Sequence, residues 1–394
     1  MATTVRAPVN GGLLEWARVE HGLALEDAAH VLNVKPERLV SWETGDAKPT
    51  LNQVRNAAAL YQRTPAFFLL RETPSDGDHR RPTDFRSFTG DTPTLGNALA
   101  REVARARARR HNFMQVQDAE PHRLPTLPAV LEEPTAAAGQ MREHLRITVA
   151  AQAGFANAAQ ALNSWVQAVE AQGVLVFQMS RVSPEECRGF SVYEDVLPVI
   201  VLNGADGFGA RQFTLFHELA HLLSRTSAVC DVWREGGVEA RCNEFAADLL
   251  MPRLAVAKLL SRGCPQTPDA LAAEFNVSKS AAAVRLRALG HISQTLLETY
   301  LRDARDAAIA TREAARAKQK GGPSPHLLKV RNLGPSFVGT VLDAMHDERI
   351  SVTEAAQILE SKVQALDKLE SEVVRRGVAS RATRTRLIPT SSSP

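Results

Sequence analysis

The sequence predicts an α+β fold that is mostly helical, with a small sheet set between helical regions. Three observations lead there. Apolar residues recur at helical spacing from Gly12 to about Leu70. Short β-branched and aromatic runs bounded by turn formers are confined to a stretch that ends near Asn203. Helical periodicity then resumes at Arg211 and continues, with interruptions, almost to the end.

A chain of 394 residues is long enough for two or three domains, each able to bury a core. The formal net charge of +3 is too slight to mark a nucleic-acid binder by itself. Cys187, Cys230, Cys242 and Cys264 form no Cys-x-x-Cys pair, which argues against a thiolate zinc knuckle and against a secreted disulfide framework. No apolar run approaches the roughly 20 residues of a membrane span, and the N-terminus lacks an export signal. The expectation is a soluble cytoplasmic protein with no membrane partner.

In "LALEDAAHVLN", Leu25, Ala28, Ala29 and Leu32 line one helix face. "VKPERLVSWETG" follows, with Pro36 suited to the first turn of a new helix and Gly45 to its stop. "DAKPTLNQVRNAAALY" opens another. Short helices joined by tight turns over 12–70 are the layout of a five-helix-type helix-turn-helix domain. If Pro36 opens the recognition helix, Lys35, Glu37, Arg38 and Ser41 are placed to reach a major groove, with Lys35, Arg38 and Ser41 the candidate contacts to a double-stranded DNA operator, bound by an expected homodimer. Against this, the charge balance of residues 10–70 is slightly acidic.

Residues 71–94, rich in Pro, Asp, Ser and Gly, read as a linker. A helical connector is expected over 95–159, where the arginines from Arg101 to Arg110 read as a solvated helix face, with a nucleic-acid contact as the sharper alternative. "NSWVQAVEAQGVLVFQMS" runs from helix into strand, and "RGFSVYEDVLPVIVLNG" adds two short strands. Residues 264–292 repeat a helix-turn-helix grammar, read as support for the fold. A helical C-terminal region over 293–374 precedes a basic disordered tail, 375–394.

The chemistry lies in "FTLFHELAHLL", 213–223. His217 and His221, four apart on a helix, can present ring nitrogens to one ion, with Glu218 beside them to take a proton from water. The competing reading is a helix that carries two hydrogen-bonded histidines. Phe216, Leu219, Ala220 and Leu223 form an apolar face, which puts the histidines at its margin, and the strand "LPVIVLN" is expected to border a cleft of zincin type, about eight residues ahead of the helix. A catalytic zinc needs a third protein ligand. In "VEARCNEFAADLLMP", Cys242, Phe245, Ala246, Leu249 and Leu250 make an apolar face; Glu239 falls at its edge, while Glu244 and Asp248 point almost opposite. Glu239 is therefore chosen as ligand, Asn243 as the group that orients a ligand, and Cys242 as a core residue. Tyr193, Arg188 and Arg211 have the right chemistry to stabilise an oxyanion, with none assigned.

Two resemblances sharpen this. Residues 12–70 are similar to the lambda-repressor-like, Xre-type helix-turn-helix, with Leu25, Ala28, Ala29, Val34, Trp42, Glu43, Gly45 and Pro49 at the pattern's positions. "RGFSV", "VIVLN", "FTLFHELAHLL" and "EARCNEFAADLLMP", within 160–292, resemble the ImmA/IrrE metallopeptidases. That resemblance implies a zincin-like domain holding Zn2+ on His217, His221 and Glu239, with Glu218 as catalytic base. It also implies limited cleavage of a repressor-type protein partner. The alternative is a transcription factor whose peptidase-like domain senses a ligand or partner without cutting.

Overall fold

The computed structural model describes residues 6–20, 23–61, 63, 65–71, 97–117, 124, 130, 132–225, 228–230, 237–317 and 324–375. The chain separates into two compact units, Met1–His111 and Asn112–Pro394. Apart from Arg71 and Arg375 at their ends, the expected linker and basic tail lie outside the described residues.

The first unit contains α1 (Gly11–Glu20), α2 (Leu25–Val31), α3 (Pro36–Glu43) and α4 (Leu51–Leu60), followed by a 3-10 turn at Pro65–Leu69 as its fifth helical segment. Local chemistry sets the boundaries. Asn33, at φ 54°, makes the left-handed turn between α2 and α3, Pro36 occupies the first turn of α3, and Thr50 with Gln53 forms a reciprocal capping box on α4. Leu13, Leu14, Leu39, Trp42, Tyr61 and Phe68 are fully buried in a single core. Gly11 lets α1 meet the end of α3, since a Cβ there would lie 2.3 Å from the Glu43 carbonyl oxygen. Arg18 closes the same contact with a two-pronged ion pair, Nε and Nη2 donating to the Glu43 carboxylate at 2.7 and 2.9 Å.

α5 (Asn97–Val116) runs across the division between the units. Its arginines do not form the expected solvated face: Arg101 is exposed, Arg105, Arg107 and Arg110 are half-buried, and Arg109 is buried. The reason is their spacing. Arginine alternates with alanine from Arg105 to Arg109, and residues two apart fall on opposite sides of a helix.

The second unit begins with α6 (Pro134–Leu145), α7 (Val149–Ala153) and α8 (Ala158–Glu170). Strands β1 (Leu175–Met179), β2 (Gly189–Val192) and β3 (Val199–Asn203) follow, then α9 (Phe208–Leu223), β4 (Ala228–Cys230) and α10 (Gly237–Leu250). Beyond them come α11 (Arg253–Ser261), α12 (Pro268–Phe275), α13 (Lys279–Ala288), α14 (Gln294–Ala317), α15 (Pro325–Leu333), α16 (Pro335–His346), α17 (Val352–Ile358) and α18 (Leu366–Arg375). Among the described residues no helix is long and apolar enough to cross a membrane.

The sheet order is β1-β3-β2-β4, with β1 parallel to β3 and both other pairs antiparallel. This corrects one expectation. β3, read as the border of a cleft, is paired on both sides and buried along its whole length, so it has no edge to offer a substrate. The three-residue β4, which the sequence pattern did not reveal, is the edge strand on that side. α9 also starts earlier than expected, at Phe208, five residues on from the end of β3, and Gly209 in its first turn fits tightly against the α12–α13 turn: a Cβ there would lie 2.6 Å from the Ser278 nitrogen.

The expected connector contributes to the main core: Met141 and Leu145 of α6 pack with Trp165, Phe216 and Phe245. α13 turns its Ala281, Ala282, Ala283, Arg285 and Leu286 inward, so this second helix pair serves packing. Arg285 forms a buried ion pair with Asp248 of α10, whose carboxylate also accepts from Thr135 at 2.8 Å. Asp248 is therefore inside the fold, against the expectation that it points outward.

The helical C-terminal region docks on the open edge of β1. Between α15 and α16, Gly334 has φ 81°, and a Cβ there would lie 2.8 Å from both the Val176 carbonyl oxygen and Glu170 Oε1. Ser336 donates to Glu170 Oε2 at 2.5 Å. Glu170 is half-buried as a residue, its carboxyl end lying in this seam, and burial pushes that carboxyl up to about 7 against the opposing effect of Ser336. A carboxyl raised in the folded state favours folding most fully below its ordinary value of 4.5, and that contribution is lost as pH rises from there through about 7. Glu170→Gln should therefore melt on the order of 2–6 °C higher than the parent at pH 8 and at nearly the same temperature at pH 4.5. Thermal denaturation at the two pH values checks the sign.

Candidate metal centre

α9 is buried nearly all round, so His217 and His221 are not at a margin: they are 0% and 2% exposed, and Glu218 is 0% exposed. The apolar positions explain this only in part. Leu215, Leu219 and Leu222 share one stripe at i, i+4 and i+7, widened by Phe216 and Ala220, and on the other side Gly189 of β2 removes the side chain that would hold the sheet away. A Cβ on Gly189 would lie 2.5 Å from Thr214 Cγ2 and 3.5 Å from Glu218 Oε1. Gly189 belongs to the floor beside Glu218, a part its mere presence in a strand hints at through the usual meaning of such a glycine as a close backbone approach.

α10 crosses α9 and supplies the partners. Glu239 Oε2 lies 3.1 Å from His217 Nε2, and Glu239 Oε1 lies 3.4 Å from His221 Nε2. The two Nε2 atoms are 3.3 Å apart. Asn243, one turn after Glu239, takes the other nitrogen of His217: Nδ1–H donates to its Oδ1 at 2.8 Å, which leaves Nε2 facing the cluster. Glu244 is turned to the surface, paired with Arg241 at 3.2 Å. Cys242 is fully buried, and its thiol is within hydrogen-bonding reach of His221.

These separations suit a cation. Zinc bound tetrahedrally at about 2.0–2.1 Å needs ligand atoms roughly 3.3 Å apart, and the three observed distances bracket that value. Two imidazole nitrogens and one carboxylate are also a borderline-hard donor set of the kind zinc takes with a fourth position left for water. With only protons in the site, burial would raise the Glu239 carboxyl, but the hydrogen bonds from His217 and His221 outweigh it and hold it near 2. Burial likewise works against charging His221, yet Cys242, Glu239 and the Glu218 charge together push it up to about 10. The cluster thus already stabilises one positive charge at the place a metal would occupy. Glu239 is the open member, its side chain 24% exposed.

The residues considered for an oxyanion are engaged elsewhere: Tyr193 donates to Asp195 at 3.0 Å, Arg188 pairs with Asp206 at 3.3 Å, and Arg211 donates to Gln178 at 2.8 Å.

Lys35, just ahead of α3, is exposed, as are Glu37 and Arg38 on it, while Ser41 is half-buried and its hydroxyl donates to the Arg38 carbonyl oxygen at 2.7 Å.

Comparison with known families agrees with both halves. Residues 169–287 match the peptidase M78 family model, the IrrE N-terminal-like domain, and residues 14–68 match the helix-turn-helix family model. The chain thus carries a DNA-binding type of helix-turn-helix followed by a peptidase-like domain. No curated protein matches the chain.

Metal analysis of purified protein provides the direct check of the cluster. One zinc per chain is expected for the parent and for Glu244→Ala, loss of metal for His217→Ala and Glu239→Ala, and about 10–100-fold weaker affinity for Asn243→Ala.

Proposed function

We propose that the chain is a DNA-binding transcriptional regulator joined to a zinc-dependent endopeptidase of gluzincin-like type, acting in the cytoplasm on one repressor-type protein partner. The observation that carries this is the His217, His221 and Glu239 cluster with Glu218 alongside it on α9. Zinc, when bound, lowers the pKa of a water and polarises the scissile carbonyl. The remaining work falls to side chains. His217 is held in one tautomer by Asn243, and His221 and Glu239 complete the donor set. The Glu218 carboxylate accepts a proton from the attacking water and returns it to the leaving amine. An extended substrate adds to the outer edge of β4, the sheet edge nearest α9, through backbone hydrogen bonds.

Limited cleavage fits this site better than general degradation, because the reacting groups are buried and the cluster is reached from the Glu239 side. A repressor built like the chain's own first unit is the partner class that the coupling of the two domains favours. The first unit binds an operator through Lys35 and Arg38, with Ser41 as a further contact, as a dimer.

Glu218→Gln separates catalysis from metal binding. It should retain zinc while lowering single-site cleavage of a co-expressed repressor by at least 100-fold, read by mass spectrometry of the products. Equal transcriptional effects of parent and variant, with every candidate partner and the chain itself intact, would replace the peptidase with the non-cleaving sensor. For the DNA-binding half, Arg38→Ala and Lys35→Ala should each weaken operator binding and reduce its salt dependence by about one unit of slope, measured by titration at several salt concentrations.

A further inference from the structure

A second recess lies in the same unit on the far edge of the sheet, where the C-terminal helices meet α8 and β1. It has a volume of about 330 Å³, within the range of sites for small molecules. Arg331 of α15 and Arg375 of α18 line it from one side; Gln160, Asn163 and Gln167 of α8 and Gln178 of β1 line it from the other. Among the described residues its wall holds two guanidinium groups, several amides and no carboxylate.

Glu372 takes one prong of Arg375, Nη1 donating to its Oε1 at 2.8 Å and offsetting part of that charge, while Asp206 is drawn to Arg188 at 3.3 Å. Glu170, in the adjoining seam, accepts from Ser336, and its raised pKa leaves it partly protonated near neutrality. Arg211 sits just behind the wall, where burial and then the charge of Arg331 lower its pKa to about 10. The charges of Arg211 and Arg331 repel one another, and a bound anion relieves that repulsion.

We propose that this recess binds a small anionic metabolite, bearing a phosphate or a carboxylate together with hydroxyl groups, and that this ligand is an input signal to the regulator. Arg331 and Arg375 take the anionic group with their planar forks, and the amides of α8 bind the neutral part. Gln178 links the ligand to the metal helix. Its carbonyl oxygen accepts from Arg211 in the first turns of α9, which leaves the amide nitrogen to donate to the ligand. The proposal goes beyond the peptidase reading and does not depend on it.

Calorimetric titration of the full-length protein with glycerol 3-phosphate, with glycerate and with neutral glycerol tests the site. The expected result is saturable binding of at least one of the two anions, with glycerol at least tenfold weaker. The anion that binds identifies the group recognised. Arg375→Gln, at an exposed side chain, and Arg331→Gln should each weaken binding at least tenfold, with melting temperatures close to that of the parent. Glu239→Ala should bind as the parent does, which separates this recess from an anion lodged on a metal. Absence of binding by both anions, equal binding of glycerol, undiminished affinity in both arginine variants, or loss of binding in Glu239→Ala would overturn the proposal.

Discussion

The second unit depends on a single costly arrangement: one helix, buried nearly all round, that carries two imidazoles and a carboxylate. Polar groups taken out of water must be matched by partners, or the helix would not remain there. α10 supplies that match with Glu239 and Asn243, and only at one register, because a slip of one residue would turn both side chains about 100° away. The other end of α10 fixes this register. Arg142 donates to the Leu249 carbonyl oxygen at 2.5 Å, Gln152 to that of Leu250 at 3.0 Å, and Arg285 to that of Met251 at 2.9 Å. Two cations at the C-terminal carbonyls of a helix satisfy orphan acceptors and complement its dipole. The geometry of the cluster is thus set partly by Arg142 and Gln152, which lie 107 and 98 positions before the carbonyl groups they hold.

Much of this was legible locally. Helix caps, turn residues and the His-Glu-x-x-His spacing are short-range features, and Glu239 separates from Glu244 by its position relative to an apolar face. What stayed hidden required a long-range partner. Asp248 reads as an outward residue because nothing near it in sequence reveals that Arg285 comes back to meet it inside the core. β4 is too short for its pattern to stand out, and without it β3 reads as a border strand. One clue to the true order was present: "VIVLN" lacks the alternation of a half-exposed strand, and a continuous apolar run belongs in the middle of a sheet.

The first unit resolves a similar conflict on a smaller scale. Glu43 is buried at the end of α3, and its charge is offset by the fork of Arg18, which also donates to the Leu23 carbonyl oxygen at 3.1 Å. This pair ties α1 to the helix that carries the exposed Lys35 and Arg38, while Gly11 allows the two backbones to approach. An acidic residue that would weaken attraction to phosphate is thereby used inside the fold instead of on its surface. The slightly acidic composition of this stretch consequently understates how basic the outer side of α3 is, although Glu37 there still opposes an anionic partner.

Burial also shapes what the metal cluster can accept. His217 and Glu218 lie beneath the surface, so in the proposed peptidase a carbonyl reaches them only if the chain bearing it is threaded past Glu239 and along a sheet edge. A folded segment cannot meet that requirement, because its backbone groups are already paired and its width exceeds that of a single strand. Selectivity then comes from the conformation the substrate must adopt more than from a deep side-chain pocket. On that reading, a regulator with such a site discriminates by which partner exposes an extended segment, and control of the proposed cleavage lies in the partner's folding as well as in this chain.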